Sequence, residues 1–177
     1  MYLSAAEIAA RVTELGAELR TDYAGREPLL VAPLKSSAVF LTDLSRALPL
    51  THGIDLVELA GYADGQRGGV RLLKDLDQPI LDRDVVVVCD VVDTGLTLAF
   101  LMRTLAQRQP ASIAAVTLLD RPYRRLVESL NLRYIGFTVP DELFAGYGLG
   151  LEERWRALPD LHYVPAEALP AAATDAA

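Results

Sequence analysis

A short polar segment follows a run of four valines near the middle of the chain. The valines are residues 85–88, and the segment after them reads Cys89-Asp90-Val-Val-Asp93-Thr94-Gly95-Leu96-Thr97. A β-branched run of this kind predicts a strand buried on both faces, and an apolar stripe from Leu98 to Leu105 predicts a helix just beyond it. The segment is therefore predicted to be a strand-to-helix turn at the edge of a sheet.

The residue types in this turn suit a phosphate ligand. Free backbone N–H groups at a helix N-terminus, together with the hydroxyls of Thr94 and Thr97, can bind a phosphate. Asp90 at the strand end can accept hydrogen bonds from a sugar diol or bind a hard cation, and Asp93 can take a proton from a nucleophile. Taken alone, the segment is equally compatible with Asp93 capping the helix and Asp90 merely ending the strand.

Other phosphate-binding motifs match this turn less well. A Walker loop requires a lysine directly after its last glycine, whereas Leu96 follows Gly95 here. The Gly-x-Gly-x-x-Gly fingerprint of dinucleotide-binding proteins is absent from both predicted strand-to-helix turns. Nucleoside triphosphatase and Rossmann functions are therefore disfavoured.

Patterns in the rest of the sequence predict the helices and strands that position this turn. Ser4 and Glu7 form a capping-box pattern, which predicts an opening amphipathic helix that ends near Asp22. A second helix is marked by Phe40 and Leu44. Strands are predicted over 29–32, where Pro33 stops the strand, and over 54–60, 85–89, 113–119 and 134–139. Alternating strands and helices predict an α/β doubly wound parallel sheet, in which ligands lie beyond the carboxyl ends of the strands.

Composition excludes several classes of protein. The 177 residues are 51% apolar and 23% charged, with a net charge of −7, one cysteine and two histidines. These values predict one globular domain without an internal disulfide or a zinc site, in a reducing compartment. The negative charge argues against extended nucleic acid, and no apolar run is long enough for a membrane span. A cytoplasmic protein is expected.

An ordered series of motifs resembles the type I phosphoribosyltransferases, and more narrowly the hypoxanthine-guanine phosphoribosyltransferase family. The family signature is a hydrophobic strand that ends in two acidic residues, followed by two aliphatic residues, Asp-Thr/Ser-Gly and a Thr. The resemblance runs from about Ile8 to Val164. Its further motifs are Leu34-Lys35, Gly61-Tyr62, Val70 to Asp77, Arg83-Asp84, Leu118 to Asp120, and Gly136 to Tyr147.

The resemblance implies a fold and a reaction. The fold is a mainly parallel sheet flanked by helices, with a flexible lid loop and a small hood from the terminal segments. One domain over 1–164 and a mobile Ala/Pro-rich tail over 165–177 are expected. The implied reaction transfers ribose 5-phosphate from phosphoribosyl pyrophosphate to N9 of a 6-oxopurine, hypoxanthine or guanine, with Mg2+. The products are a purine nucleoside monophosphate and pyrophosphate, and the implied assembly is a homodimer or homotetramer.

The same resemblance assigns roles to individual positions. Asp93 matches the general base near purine N7, and Asp90 matches a carboxylate on the ribose hydroxyls and the metal. The loop that holds the 5′-phosphate is matched by Asp93, Thr94, Gly95, Leu96 and Thr97. The remaining implied contacts are Lys35 and Arg156 with pyrophosphate, and Gly61 and Tyr62 in the lid. The family has a non-proline cis peptide at the position of Leu34-Lys35, and the resemblance implies that the amide of this peptide contacts pyrophosphate.

Several positions depart from the family pattern. Cys89 replaces a glutamate that faces the ribose, and Gly150 replaces an aspartate that supports magnesium. Arg121 replaces the lysine that recognises the purine 6-oxo group. Leu143 occupies the position where the family has an aromatic residue that stacks on the purine, and Phe144 follows it. Either the stacking aromatic ring has moved by one position to Phe144, or Leu143 and Phe144 are both core residues. Two alternatives therefore stay open: a catalytically weakened nucleotide-binding or regulatory protein on this scaffold, and a phosphoribosyltransferase for a different base.

Overall fold

The centre of the computed structural model, which describes residues 1–60, 70–151 and 153–165, is a six-stranded sheet. Its strands are β1 (Leu29–Leu34), β2 (Gly53–Ala60), β3 (Arg71–Lys74), β4 (Asp84–Val92), β5 (Ser112–Asp120) and β6 (Leu132–Thr138). Their order across the sheet is β3-β2-β1-β4-β5-β6. Every neighbouring pair is parallel except β2 and β3, which are antiparallel. The predicted mainly parallel α/β sheet is thereby confirmed.

Three α-helices cover the two faces of this sheet. They are α1 (Ala5–Asp22), α2 (Ser37–Ala47) and α3 (Leu96–Ala106). The predicted capping box is present at the start of α1, where Ser4 Oγ accepts from the Glu7 N–H at 3.3 Å and Glu7 accepts from the Ser4 N–H at 2.8 Å. Each helix buries an apolar stripe on the sheet, in agreement with the predicted periodicity.

The run of valines in β4 supplies both faces of the core. Val86 and Val88 pack in the cluster that contains Phe40 of α2, whereas Val85 and Val87 pack in the cluster that contains Leu101 of α3. Successive side chains of a strand point to opposite faces, so a strand covered on both sides is apolar at every position. This burial explains why β4 shows no alternation of polar and apolar residues.

The prediction that Pro33 stops the first strand was wrong. β1 continues through Pro33 to Leu34, and Pro33 pairs with Val57 of β2. The pairing of β1 with β4 ends at Val31, so Pro33 lies where β1 has a neighbour on one side only. A residue without an N–H group is tolerated at such an edge position.

The two terminal segments form the predicted hood beside the sheet. Strands β7 (Phe144–Ala145) and β8 (His162–Tyr163) pair antiparallel, and Leu3 forms a bridge with Leu161. None of the helices in the described part of the chain has the length and apolar character needed to cross a bilayer. The lid residues and residues 166–177 lie outside the described residues.

Candidate functional site

A cleft of about 310 Å³ lies at the carboxyl ends of β1 and β4. Its walls are Pro33, Leu34, Ser36, Ser37, Leu59, residues 89–95, Thr97, Leu98 and Leu101. The helices that follow these two strands pack on opposite faces of the sheet, because α2 contributes to one core cluster and α3 to the other. Such a reversal between neighbouring parallel strands is the position where open α/β sheets bind ligands. The cleft therefore coincides with the turn predicted to carry the chemistry.

The turn from β4 to α3 requires a glycine at position 95. Gly95 has φ +81°, and a Cβ placed there would lie 2.8 Å from the Leu130 side chain. The Thr94 carbonyl oxygen accepts from the Leu126 N–H at 2.9 Å, which fixes the turn from outside the cleft. Because the N-cap residue is a glycine, α3 has no side-chain cap, and only the Leu96 N–H reaches Thr94 Oγ1, at 3.4 Å. The first turn of α3 can thus donate N–H groups to an anion in the cleft.

Asp90 is held at the cleft wall by Ser37. Ser37 Oγ donates to Asp90 Oδ1 at 2.8 Å and accepts from the Asp90 N–H at 3.2 Å, and both residues are buried. Ser37 was not predicted to be a site residue. The sequence feature that could have pointed to Ser37 is the pair of serines that follows Lys35 at the start of α2. The partner of Ser37, Asp90, is 53 residues away in sequence.

Asp93 presents one carboxylate oxygen without a hydrogen-bond partner. Its Oδ2 accepts from Arg121 Nη1 at 3.4 Å, whereas its Oδ1 is buried and has no hydrogen-bond partner among the described residues. Arg124 Nε lies 3.8 Å from Oδ1, which is beyond hydrogen-bond reach. A buried acceptor without a donor is costly unless a ligand completes it. Asp93 Oδ1 is therefore suited to accept a proton or a hydrogen bond from a bound base.

Arg121 is buried beside Asp93, and its carboxylate partners are partly exposed. Its Nη2 donates to Asp141, its backbone N–H donates to the Val92 carbonyl at 3.0 Å, and its buried Nε has no partner among the described residues. The guanidinium is thus held by carboxylates on two sides, and its Nε–H group stays available as a donor. Asp141 lies within the Gly136 to Tyr147 motif, but its contact with Arg121 depends on the fold and was not predicted.

Cys89 lines the cleft as a neutral side chain. The residue is only 6% exposed, and burial, aided by the charge of Asp90, raises the pKa of its thiol far above the usual range. The thiol stays protonated at neutral pH, so it is inert as a nucleophile. The cleft therefore has one carboxylate fewer than the family pattern at this strand end.

Lys35 and Arg156 meet through a third residue, Glu153. Lys35 Nζ lies 3.3 Å from Glu153 Oε2, and Arg156 Nη2 lies 3.1 Å from Glu153 Oε1. Hydrogen bonds from Arg156, and then from Lys35, lower the pKa of the Glu153 carboxyl. The Leu34-Lys35 peptide bond is cis. Neither cation lines the cleft, and Glu153 was not predicted to be a site residue.

Gly150 leaves no room for the aspartate of the family pattern in this conformation. A Cβ at position 150 would lie 2.6 Å from Arg156 Cγ and 2.7 Å from the Arg154 carbonyl oxygen. The side chain of Arg156 thus occupies the space next to Gly150, while its Nη1 donates to the Gly148 carbonyl at 2.9 Å.

The two candidate base-stacking residues have different surroundings. The ring of Phe144 lies 4.9 Å from that of Tyr2 and 5.2 Å from that of Tyr163, in an aromatic cluster of the hood. Leu143 is 41% exposed. Contact of either residue with a purine stays a prediction, and the packing of Phe144 favours the structural interpretation for that residue. Gly61 and Tyr62 of the predicted lid lie outside the described residues.

The buried carboxylate of Asp90 is suited to hold a cation that enters the cleft together with a phosphorylated ligand. Among residues 1–60, 70–151 and 153–165, no group of three or more His, Cys, Asp or Glu side chains is placed to hold a metal ion. Asp90 is a single buried carboxylate between the neutral Cys89 and the turn from β4 to α3. Magnesium is commonly held by one or two carboxylates together with substrate phosphates and water. Asp90 fits that mode of binding.

Comparisons with known proteins agree with this geometry. Residues 1–149 match the family model of the phosphoribosyl transferase domain. The chain is 41% identical over 172 residues to a hypoxanthine-guanine phosphoribosyltransferase of Mycobacterium avium, covering 93% of this chain and 83% of the relative. It is 40% identical over 161 residues to the bifunctional protein TilS/HprT of Listeria monocytogenes, of which it covers 25%. A crystal structure of a hypoxanthine phosphoribosyltransferase from Staphylococcus aureus superposes with a TM-score of 0.91 at 35% identity, covering 96% of this chain and 93% of that one.

Proposed function

Because the chain belongs to the hypoxanthine-guanine phosphoribosyltransferase family, we propose that it is a purine salvage enzyme that makes nucleoside monophosphates from 6-oxopurines. Ribose 5-phosphate passes from phosphoribosyl pyrophosphate to N9 of hypoxanthine or guanine, and pyrophosphate leaves. The observation that carries the proposal is the convergence of three groups on one cleft. These are the uncapped first turn of α3, the buried carboxylate of Asp90 and the unpartnered oxygen of Asp93.

The phosphate and ribose bind at the β4–α3 turn. The N–H groups that begin α3, with the hydroxyls of Thr94 and Thr97, hold the 5′-phosphate. Asp90, oriented by Ser37, accepts hydrogen bonds from the ribose hydroxyls. Lys35 and Arg156, which stand together around Glu153, bind the pyrophosphate group. An acidic protein thereby provides a local binding site for a highly charged ligand.

Asp93 acts as the general base. As N9 of the purine bonds to C1′ of the ribose, the bond from C1′ to the pyrophosphate oxygen breaks and the purine loses a proton. Asp93 Oδ1 accepts that proton, because it is the carboxylate oxygen that has no hydrogen-bond partner within the described part of the chain. Arg121, beside Asp93, donates to the 6-oxo group of the base, and its unpartnered Nε is a donor for that contact.

The proposal includes a magnesium ion that binds together with the substrate. Asp90 is the residue that would hold it, and the ion would neutralise charge on the leaving pyrophosphate. The loss of a carboxylate at Cys89 and the close approach of Arg156 to Gly150 both favour weaker metal and ribose binding than the family pattern provides. These two observations support the second candidate function, a nucleotide-binding or regulatory protein with weakened turnover.

Two further parts of the proposal concern assembly and location. A homodimer or homotetramer is inferred from the family, and light scattering of the purified protein tests it. A cytoplasmic location is inferred from the single buried cysteine and the composition, and fractionation of cells that express the chain tests it.

A steady-state assay decides between the candidate functions. The protein is mixed with phosphoribosyl pyrophosphate, magnesium and either hypoxanthine, guanine or xanthine, and nucleotide formation is followed. Product from hypoxanthine or guanine is expected. The absence of product with every base, combined with nucleotide binding in calorimetry, would favour the regulatory candidate. Product from xanthine alone would show that Arg121 has changed the base preference.

A further inference from the structure

Glu153 bridges two cations that come from distant parts of the chain. Lys35 directly follows the carboxyl end of β1, whereas Arg156 belongs to the segment between β7 and β8. One oxygen of Glu153, Oε2, lies 3.3 Å from Lys35 Nζ, and the other, Oε1, lies 3.1 Å from Arg156 Nη2. Lys35 and Glu153 are separated by 118 residues in sequence. The carboxylate thus lies between the two cations that the proposed function assigns to pyrophosphate.

We propose that Glu153 takes the place of pyrophosphate between Lys35 and Arg156 in the free protein and lowers the affinity for pyrophosphate. The inference rests on the proposed function, because that function gives the two cations their ligand. Carboxylate and phosphate oxygens are both anionic acceptors for ammonium and guanidinium N–H groups. Glu153 and pyrophosphate therefore compete for the same donors.

The exposure of the contact allows Glu153 to leave readily. The side chains of Lys35 and Glu153 are 66% and 63% exposed, so water can replace each partner. Arg156 keeps its position without Glu153, because its Nη1 also donates to the Gly148 carbonyl at 2.9 Å. Displacement of Glu153 thus leaves the Arg156 side chain anchored to the Gly148 carbonyl.

The consequence concerns release of the product. When pyrophosphate departs, Glu153 returns to both cations and hinders rebinding. Because phosphoribosyl pyrophosphate places its own pyrophosphate group on Lys35 and Arg156, the contact weakens binding of this substrate as well as of free pyrophosphate. Each exposed ion pair is weak, so the pair of contacts changes pyrophosphate affinity by about 3- to 10-fold.

The test compares Glu153→Gln with the unmodified protein by calorimetric titration with magnesium pyrophosphate. The variant keeps the size of the side chain but removes its charge, and it is expected to bind pyrophosphate about 3- to 10-fold more tightly. The gain should shrink as sodium chloride is raised, because salt screens exposed charges. Glu27→Gln is the matched control, since Glu27 is exposed just before β1, away from the carboxyl end of the strand, and it should leave the affinity unchanged.

Three results would overturn the inference. Weaker binding by Glu153→Gln would show that Glu153 organises the two cations for the ligand, and unchanged binding would show that it does not compete. If neither the unmodified protein nor Glu153→Gln binds pyrophosphate, then pyrophosphate is not the ligand of Lys35 and Arg156. The titration needs no turnover, so a protein that fails the transfer assay but shows the expected gain would refute the proposed reaction and retain the role of Glu153.

Discussion

Replacing Ser37 with alanine removes both hydrogen bonds that hold Asp90 against the cleft wall. One of them, at 2.8 Å, is donated to a buried carboxylate, and the other, at 3.2 Å, is accepted from the Asp90 N–H. A hydrogen bond to a charged group contributes about 1.5–3 kcal/mol, and a buried donor left unpaired costs about 1–3 kcal/mol. The variant is therefore expected to lose about 2–4 kcal/mol of unfolding free energy, allowing for partial relaxation.

The effect on ligand binding follows from the same contact. If Asp90 turns away from the ribose, the ligand loses one hydrogen bond to a carboxylate, which corresponds to about 10- to 100-fold weaker binding of phosphoribosyl pyrophosphate. Urea denaturation measures the stability, and calorimetric titration with phosphoribosyl pyrophosphate and magnesium measures the affinity. Both measurements are made on the same preparation of each variant.

Ser45→Ala is the matched control for this substitution. Ser45 lies on the same helix, and its Oγ is 2.8 Å from His52 Nε2. The control removes one hydrogen bond from α2 away from the cleft, so it should leave the affinity for phosphoribosyl pyrophosphate unchanged. An unaltered affinity in Ser37→Ala, despite a loss of stability, would refute the claim that Ser37 orients Asp90 for the ligand.

Two further substitutions test the departures from the family pattern. Cys89→Glu restores an acceptor beside Asp90 and should tighten phosphoribosyl pyrophosphate binding by about 10- to 100-fold in calorimetry; an equal or weaker affinity would contradict the placement of Cys89 at the ribose. Gly150→Asp adds a carboxylate but must displace the Arg156 side chain, which a Cβ would approach to 2.6 Å. Gly150→Asp should therefore weaken magnesium pyrophosphate binding by about 3- to 10-fold. A gain in affinity would show that the Arg156 side chain moves aside without weakening its contact with pyrophosphate.

Local patterns predicted much of the fold. The capping box at Ser4 and Glu7 involves neighbours three residues apart, so the sequence displays it directly. The buried valine run and the apolar stripe beyond it placed β4, α3 and the turn between them, because burial on both faces leaves a clear pattern. Strand β3 was not predicted, since it has only four residues and pairs antiparallel at the sheet edge.

Contacts between distant residues were not predictable from spacing. The partner of Ser37 is 53 residues away, and that of Lys35 is 118 residues away, so neither contact leaves a periodic signal. The turn after β4 already pointed to Asp93, and the resemblance to a family added Arg121 and Arg156, but neither carried information on how these side chains are held. Ser37, Asp141 and Glu153 became visible only in the fold, where they contact Asp90, Arg121 and Arg156 respectively.

The turnover of an Asp93→Ala variant tests the central claim most directly. Nucleotide formation from hypoxanthine is measured for the variant and the unmodified protein at saturating substrates, and binding of phosphoribosyl pyrophosphate is measured alongside. Removal of the general base is expected to lower kcat by about 100-fold or more, with the Kd for phosphoribosyl pyrophosphate changed by only a few-fold. A nearly unchanged kcat would contradict the assignment of the proton transfer to Asp93 in the β4–α3 turn.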